Sequence, residues 1–230
     1  MPPIANTLQN WEQSLCSKVE LAALLSRNPV AYKWKSMTRN FILRETIFWR
    51  LHDLLTQSYE LHCSHRTLGA RILLRSAFET LATLIHLNQL MAQVLGEKLS
   101  FQDFSDKSAR LLLGSRNKTT RQESINILTI LTHCDKKYTG IVELYSDLSE
   151  SAHPNFEGMC FGYSSINFDE YSTVFSNNIR SMYEERHEPS IWICMTTFEH
   201  EYNEVWPEST RRLEAWVEKN DEQLEASKVD

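Results

Sequence analysis

The most apolar stretch of the chain, Arg66 to Gln93, also carries a row of polar side chains whose types could support chemistry. If this stretch is helical, Arg71, Arg75, Glu79 and His86 all project into one sector of roughly 80°. Charges inside a protein must be paired. Arg75 and Glu79 are four residues apart and can satisfy each other, whereas Arg71 and His86 need partners from elsewhere in the fold.

The strongest candidate for such a partner is an imidazole at the end of a later helix. Ser149 and His153 come just before Pro154, which should stop that helix near residue 152. The carbonyl end of a helix raises the affinity of an imidazole for a proton. If His153 faces Glu79, a carboxylate-oriented histidine beside two arginines results. It could act as a general base, with the arginines stabilising a phosphate or an oxyanion. The alternative is a buried hydrogen-bonded network that joins helices and has no turnover.

The elements that must position these groups are helices. Glycine and proline number only six each, so we predict an all-α bundle with short loops, built around a central buried helix at about 66–93. A change of texture after His153 predicts a small hairpin or irregular insertion at about 155–178. We expect a single helical domain over 1–230. A first amphipathic helix should end before Asn28, and a core bundle should span about 37–155. A C-terminal helical pair, which Pro207 divides, should span 189–226.

Composition excludes several classes of function. The net charge of −6 argues against a nonspecific grip on nucleic acid, which requires a basic face. The five cysteines include no CxxC spacing, and this favours a reducing compartment over a disulfide framework. The sequence shows neither a secretory leader nor an uncharged run of 18 residues, so we expect a cytoplasmic protein without membrane spans.

Two short elements carry a resemblance to a known group of proteins. The first is the Arg-x3-Glu pair formed by Arg75 and Glu79, and the second is a Leu-Ser-x3-His-Pro element running from Leu148 to Pro154. Together they resemble uncharacterised bacterial all-helical proteins that are grouped with HEPN-like domains. The resemblance covers roughly residues 66–155.

The resemblance implies a helical bundle, often dimeric, acting on RNA or a nucleotide in a defence or toxin system. Many HEPN proteins are metal-independent ribonucleases with an Arg-x4-6-His motif. This chain departs from that motif at His153, because no arginine stands four to six residues before it. The only such spacing in the chain is Arg180 to His187. The resemblance nevertheless implies one site for this chain, made of Arg71, Arg75, Glu79, Ser149 and His153.

Three functions therefore remain open. The first is a HEPN-like RNase or an inactive relative, with RNA or a nucleotide as partner and no cofactor. The second is a non-enzymatic dimeric interaction module whose Arg/Glu/His cluster is structural. The third is a carboxylate-bridged metal protein, because Glu-x-x-His spacing of the kind used in di-metal bundles occurs twice. Its candidate ligands are Glu150 with His153, Glu184 with His187, and Glu45 and Glu79 on other helices.

Overall fold

The structure is a computed structural model, and it describes residues 3–227. Within that range the expected all-α class is confirmed, since ten α-helices, two short π-helical segments and one small hairpin make up the regular elements. In chain order the helices are α1 (Ile4–Ser14), α2 (Leu21–Arg27), α3 (Pro29–Tyr32), α4 (Lys35–Cys63), α5 (Thr67–Leu95), α6 (Phe101–Leu113), α7 (Ile127–Asp135), α8 (Ile141–Ala152), α9 (Ile179–His200) and α10 (Trp206–Ala226).

The central helix of the prediction is α5, whose bounds lie within two residues of the expected 66–93. Its sequence explains its burial, because leucine, isoleucine, alanine and phenylalanine occupy most of its circumference and each buried side chain removes apolar surface from water. Leu74, Ala77, Phe78 and Leu81 are all at most 1% exposed. The prediction of a buried central helix is therefore confirmed.

The chain forms two compact units, and α4 and α5 each contribute residues to both. One unit consists of Trp49–Leu81 and Leu131–Thr197, together with the N-terminal residues up to Ser14. The other consists of Leu15–Phe48, Ala82–Ile130 and the C-terminal residues from Phe198. All candidate site residues that the sequence analysis derived from the resemblance belong to the first unit, whereas His86 belongs to the second.

Several helix ends follow from side chains that the sequence identifies. The spacing of Ser100 and Asp103 is that of a capping box and predicts the start of α6, and Gly114 is its predicted end. Both are confirmed, since Ser100 accepts a hydrogen bond from the backbone N–H of Asp103 at 3.0 Å and Gly114 is the C-cap. Helix α8 ends at Ala152, immediately before His153, which agrees with the stop expected from Pro154. At these positions, capping side chains and the effect of proline on the preceding residue are sufficient to predict where the helix begins or ends.

Other helix starts differ from the prediction. The spacing of Thr120 and Glu123 is that of a capping box and predicts a helix start at Thr120. Instead the Thr120 hydroxyl bonds within the preceding loop, and α7 begins only after Asn126, whose side chain accepts from Leu128 N–H at 2.9 Å. Thr139 precedes the apolar run that starts at Ile141, and the sequence predicts it as the cap of α8. The cap position nevertheless belongs to Gly140 at φ 99°. Glycine adopts this left-handed conformation without the steric penalty that threonine would meet.

The two ends of the chain also depart from the predicted helices. The first amphipathic helix stops at Ser14, whose hydroxyl donates to the Asn10 carbonyl, a bond that competes with helix continuation. At the other end, α9 starts ten residues before the predicted 189, so Pro189 lies inside it. Pro207 lies in the first turn of α10, where a missing N–H costs nothing. A π-helical segment, Glu201–Val205, joins α9 to α10 and comes just before Pro207, where a break was expected.

The insertion after His153 contains a hairpin, which was one of the two forms predicted for it. A π-helical turn, Phe156–Phe161, leads into β1 (Ser164–Asn167) and β2 (Ser172–Phe175). The strands pair antiparallel, with Ser164 opposite Phe175 and Asn167 opposite Ser172. Tyr183 of α9 donates a short hydrogen bond to Glu157, and this bond attaches the π-helical turn to the helices.

Candidate functional site

Arg71 is the largest fully buried side chain of the described residues, at 1% exposure. Its Nε donates to Ser151 Oγ at 2.7 Å, and its Nη2 donates to the Asp147 backbone oxygen at 2.6 Å and to Asp147 Oδ2 at 2.8 Å. Its guanidinium carbon also lies 3.7 Å from the ring centroid of Tyr183. Charge-assisted hydrogen bonds and a cation–π contact offset the desolvation of this charge, so Arg71 joins α5 to α8 and α9.

The partners of Arg71 have partners of their own. The Ser151 hydroxyl donates to the Leu148 carbonyl at 3.1 Å, which leaves its lone pairs for Arg71. Asp147 Oδ1 also lies 3.6 Å from Arg186 Nη1 on α9. The ring of Tyr183 lies near both guanidinium groups, and burial together with its bond to Glu157 raises the pKa of its hydroxyl. The network around Arg71 is therefore neutralised within the fold.

The predicted pair of Arg75 and Glu79 is present, with a third group bridging it. Arg75 Nη2 lies 3.5 Å from Glu79 Oε1. Between them, the Tyr145 hydroxyl accepts from Arg75 Nη2 at 2.7 Å and donates to Glu79 Oε1 at 2.8 Å. Burial raises the pKa of Tyr145, and its bond to Glu79 acts in the same direction whereas Arg75 opposes it. Glu79 was expected to orient a histidine, but it accepts its hydrogen bond from Tyr145 instead.

Ser149 and His153 lie outside this network. The Ser149 hydroxyl donates to the Tyr145 backbone oxygen at 2.8 Å, a bond within α8 itself. His153 is the residue that ends α8, where its backbone N–H donates to the Ser149 oxygen at 3.1 Å. Its imidazole is exposed and takes part in none of the hydrogen bonds around Arg71, Arg75 and Glu79. The structure brings the three α5 residues together with α8, but it does not bring His153 to them.

The residues that complete the network were missed by the sequence analysis. Tyr145, Asp147 and Ser151 come from α8, and Tyr183 comes from α9, some 70 to 110 residues after the arginines that they contact. One signal was available, because Asp147 and Ser151 are four residues apart on a helix whose apolar residues otherwise define its buried face. Two polar residues in this register indicate a buried partner with several donors, and arginine is the residue that offers them.

A second polar cluster lies where the end of α4 meets α9 within the same unit. His187 is 1% exposed, and its Nε2 lies 3.1 Å from Ser58 Oγ, which itself donates to the Ala70 carbonyl at 2.8 Å. Because the single hydroxyl proton of Ser58 is used in that bond, Nε2 of His187 must carry the hydrogen. Its Nδ1 is then an acceptor, and it has no hydrogen-bond partner among the described residues.

The ring of His62 stacks on that of His187, with 4.9 Å between centroids and 28° between planes. Burial lowers the pKa of His187 to about 3, and the neighbouring His62 and Arg71 act in the same direction. His62 Nε2 lies 3.5 Å from Glu188, whereas its buried Nδ1 also lacks a partner among the described residues. The His187 imidazole therefore stays neutral down to a pH well below the ordinary range, but it is shielded from solvent.

The carboxylates and histidines of the metal hypothesis are placed in other interactions. Glu150 accepts from Asn155 at 2.6 Å, and Glu184 binds Arg180 and His65. Across residues 3–227, no three His, Cys, Asp or Glu side chains are close enough to hold one metal ion together. The Glu-x-x-His spacings therefore do not correspond to a prepared ligand set.

An open cavity of about 550 Å³ lies on the outer side of the Arg71 network, and Asp147 and Arg186 form part of its wall. Its other walls include Tyr138, Gly140 and Ser190. This volume is within the range of small-molecule sites. Arg71 is not among the lining residues, so a ligand there meets Asp147 and not the buried guanidinium.

No family model, curated protein or solved structure matches this chain. No helix of the described residues is long and apolar enough to cross a membrane.

Proposed function

We propose that this protein is a non-enzymatic interaction module that self-associates, and that its Arg71, Arg75 and Glu79 cluster is structural. The observation that carries the proposal is an exposed aromatic surface on the insertion. Four phenylalanine rings there are between 54% and 80% exposed, and Ile166 beside them is 66% exposed. The aromatic surface is made of Phe156, Phe161, Ile166, Phe168 and Phe175.

The size of the aromatic surface fits a protein interface. A phenylalanine ring buries roughly 150–250 Å² when it is fully covered, so the four rings offer on the order of 600 Å². Monomeric proteins seldom expose a contiguous apolar patch larger than a few hundred Å². A standard interface buries about 800 Å² on each partner, which the four rings and Ile166 approach.

Charge favours a second copy of this chain as the occupant. Residues 156–178 contain three acidic side chains and no lysine or arginine, so the surface does not attract RNA or an anionic membrane. One of the three, Glu157, is bound to Tyr183, and the other two, Asp169 and Glu170, lie in the turn between the strands. Two such surfaces placed antiparallel would meet ring to ring, with their acidic turns at opposite ends.

The hairpin supplies a second reason for self-association. It is a two-stranded sheet, so both strands are edges, and an isolated pair of strands is only marginally stable in water. Pairing of the same edge from two copies about a two-fold axis would give a four-stranded sheet and satisfy free backbone groups. The contact would be isologous, and it would close at a dimer.

Sedimentation velocity over a range of protein concentrations tests this proposal. We expect the wild-type chain to form a dimer and the double variant Phe168→Ser, Phe175→Ser to be monomeric with an unchanged helical signal. Leu25→Ser is the matched control, since it removes an exposed apolar side chain of the other unit and should leave the dimer intact. A wild-type chain that stays monomeric at every concentration would refute the proposal.

An RNA- or nucleotide-directed HEPN-like protein remains the second candidate, and one observation favours it. The open cavity beside Asp147 and Arg186 could hold a ligand, and Arg186 offers an exposed guanidinium for a phosphate. Incubation of the purified chain with labelled single-stranded RNA tests this candidate. RNA cleavage that is lost in Arg186→Met would support this candidate. If the RNA stays intact and the wild-type chain is a dimer, the second candidate is excluded and the first proposal stands.

A further inference from the structure

The first turn of α5 has backbone donors that nothing in the described chain satisfies. A helix leaves its first N–H groups without internal acceptors, and a side chain at the cap usually accepts from one of them. Here the residue before the helix is Arg66, which has no acceptor on its side chain. Its own N–H donates to Leu61 O at 2.8 Å, and hydrogen bonding within the helix resumes with Ala70 N–H to Arg66 O at 3.1 Å.

The N–H groups of Thr67, Leu68 and Gly69 thus donate to no group within residues 3–227. They lie at the positive end of a helix of 29 residues, where the peptide dipoles add up to about half a positive charge. A helix start of this kind attracts anions, although by itself it does not make a site.

The second observation is a buried hydroxyl without a partner. Thr67 is only 3% exposed, and its Oγ1 makes no hydrogen bond to any described residue. Leaving a buried hydroxyl without a hydrogen bond is energetically unfavourable, so this position favours a partner from outside the described chain. Thr67 lines a cavity of about 260 Å³ that opens in front of the helix start. An anion oxygen that enters this cavity would give the hydroxyl an acceptor.

The walls of the cavity supply positive charge. Arg66 is exposed and has no side-chain partner among the described residues, and Arg180 of α9 faces the same space. Within residues 3–227, Glu184 is the one carboxylate in contact with these groups, and it accepts from Arg180 Nε at 2.7 Å and from His65 Nδ1 at 2.6 Å. These two bonds lower the pKa of Glu184, so it stays ionised and offsets the charge of one arginine.

We propose that the start of α5 is a binding site for a phosphate group. The backbone N–H groups of Leu68 and Gly69 and the hydroxyl of Thr67 would hold the oxygens, and Arg66 and Arg180 would supply the charge. The volume is smaller than the 300 Å³ at which sites for whole small molecules begin, so it fits a phosphate and leaves an attached nucleoside or chain outside. None of the residues of the aromatic surface lines this cavity, so the proposal does not depend on self-association.

Isothermal titration calorimetry of the full chain tests the site with three probes, namely inorganic phosphate, uridine 5′-monophosphate and an RNA oligonucleotide without a terminal phosphate. We expect saturable binding of at least one probe, and the tightest one identifies whether the phosphate comes free, on a nucleotide or within a strand. Arg66→Met should weaken that binding about tenfold, because a charge-assisted hydrogen bond is lost.

Two further variants keep the outcome clear. Thr67→Val removes the unpaired hydroxyl at nearly constant shape, so it should weaken binding about fivefold while the melting temperature stays the same or rises. Arg116→Met removes an exposed positive charge of the other unit and should leave binding unchanged. The proposal is overturned if no probe binds the wild-type chain, or if Arg116→Met weakens binding as much as Arg66→Met does.

Discussion

Arg71 and Asp147 form an ion pair in which the two partners differ sharply in solvent exposure. The arginine side chain is 2% exposed and the aspartate side chain 33%, with 2.8 Å between Nη2 and Oδ2. The aspartate also has Arg186 within 3.6 Å, whereas the other contacts of Arg71 carry no negative charge. This asymmetry makes the pair a sensitive test of how buried charges determine stability.

We expect the two halves of this pair to respond differently to mutation. Asp147→Asn leaves a buried guanidinium without its carboxylate and should lower the free energy of unfolding by about 3 kcal/mol. Arg71→Met should cost less, because Asp147 keeps water and Arg186. Urea denaturation measures both, with Glu143→Gln on the exposed side of α8 as the control. Equal or reversed costs would contradict the view that the network exists to neutralise Arg71.

The bridging hydroxyl of Tyr145 should contribute measurably to stability. Tyr145→Phe keeps the ring but leaves Arg75 and Glu79 without their shared partner, and we expect a loss of about 1–2 kcal/mol. Tyr171→Phe removes the same hydroxyl from a residue that is 97% exposed, and it should change stability by less than about 0.5 kcal/mol. Thermal unfolding of the two variants at one pH makes the comparison, and equal behaviour would exclude a structural role for the bridge.

His187 should make the unit sensitive to acid. Its pKa is about 3 in the folded chain and near 6.5 when unfolded, so between these values the unfolded state binds the proton and stability falls as the pH is lowered. From pH 7.5 to pH 4.5 this single group should remove about 2–3 kcal/mol from the free energy of unfolding.

Denaturation curves of the wild type and His187→Gln at both pH values isolate this contribution, since all other titrating groups are shared. We expect the variant to lose less stability on acidification than the wild type by that amount. His153→Gln, which alters an exposed histidine, should keep the wild-type difference. A variant at position 187 with unchanged pH dependence would show that this imidazole is not held neutral.

His153 separates the structural view of the cluster from the catalytic one. Because its imidazole is exposed and makes none of the network's hydrogen bonds, His153→Ala should change stability by less than about 1 kcal/mol. On the interaction-module proposal the variant also keeps the dimer. If the wild type cleaves RNA and His153→Ala does not, the catalytic site implied by the HEPN-like resemblance gains support. The proposal of a non-enzymatic interaction module would then be wrong.

The parts of this structure that could be predicted are those set by neighbours in sequence. The bounds of α5 follow from a continuous run of apolar residues, the α6 cap from Ser100 and Asp103, and the contact of Arg75 with Glu79 from their spacing. Each of these depends on residues within a turn or a few turns of the same helix, where geometry is known in advance.

The remainder of the candidate site depends on contacts that no local rule determines. The prediction that Arg71 needs an external partner was right, but the partners turned out to be Asp147 and Ser151 and not His153. All three residues lie on or next to α8, and which of them faces α5 is decided by the rotation of one helix against another. A histidine and a serine near the end of a helix are equally plausible candidates until that rotation is known.

The contacts of Arg71 also bear on how the chain is made. Its partners follow it by 76 and 80 residues in the chain. When the ribosome has completed α5, it must still add a stretch about half as long as the chain made so far before the guanidinium can be neutralised. Until then a positive charge interrupts an otherwise apolar helix and opposes its burial. Premature collapse around the first helices is thereby disfavoured, and a product truncated before residue 147 would expose this region to degradation.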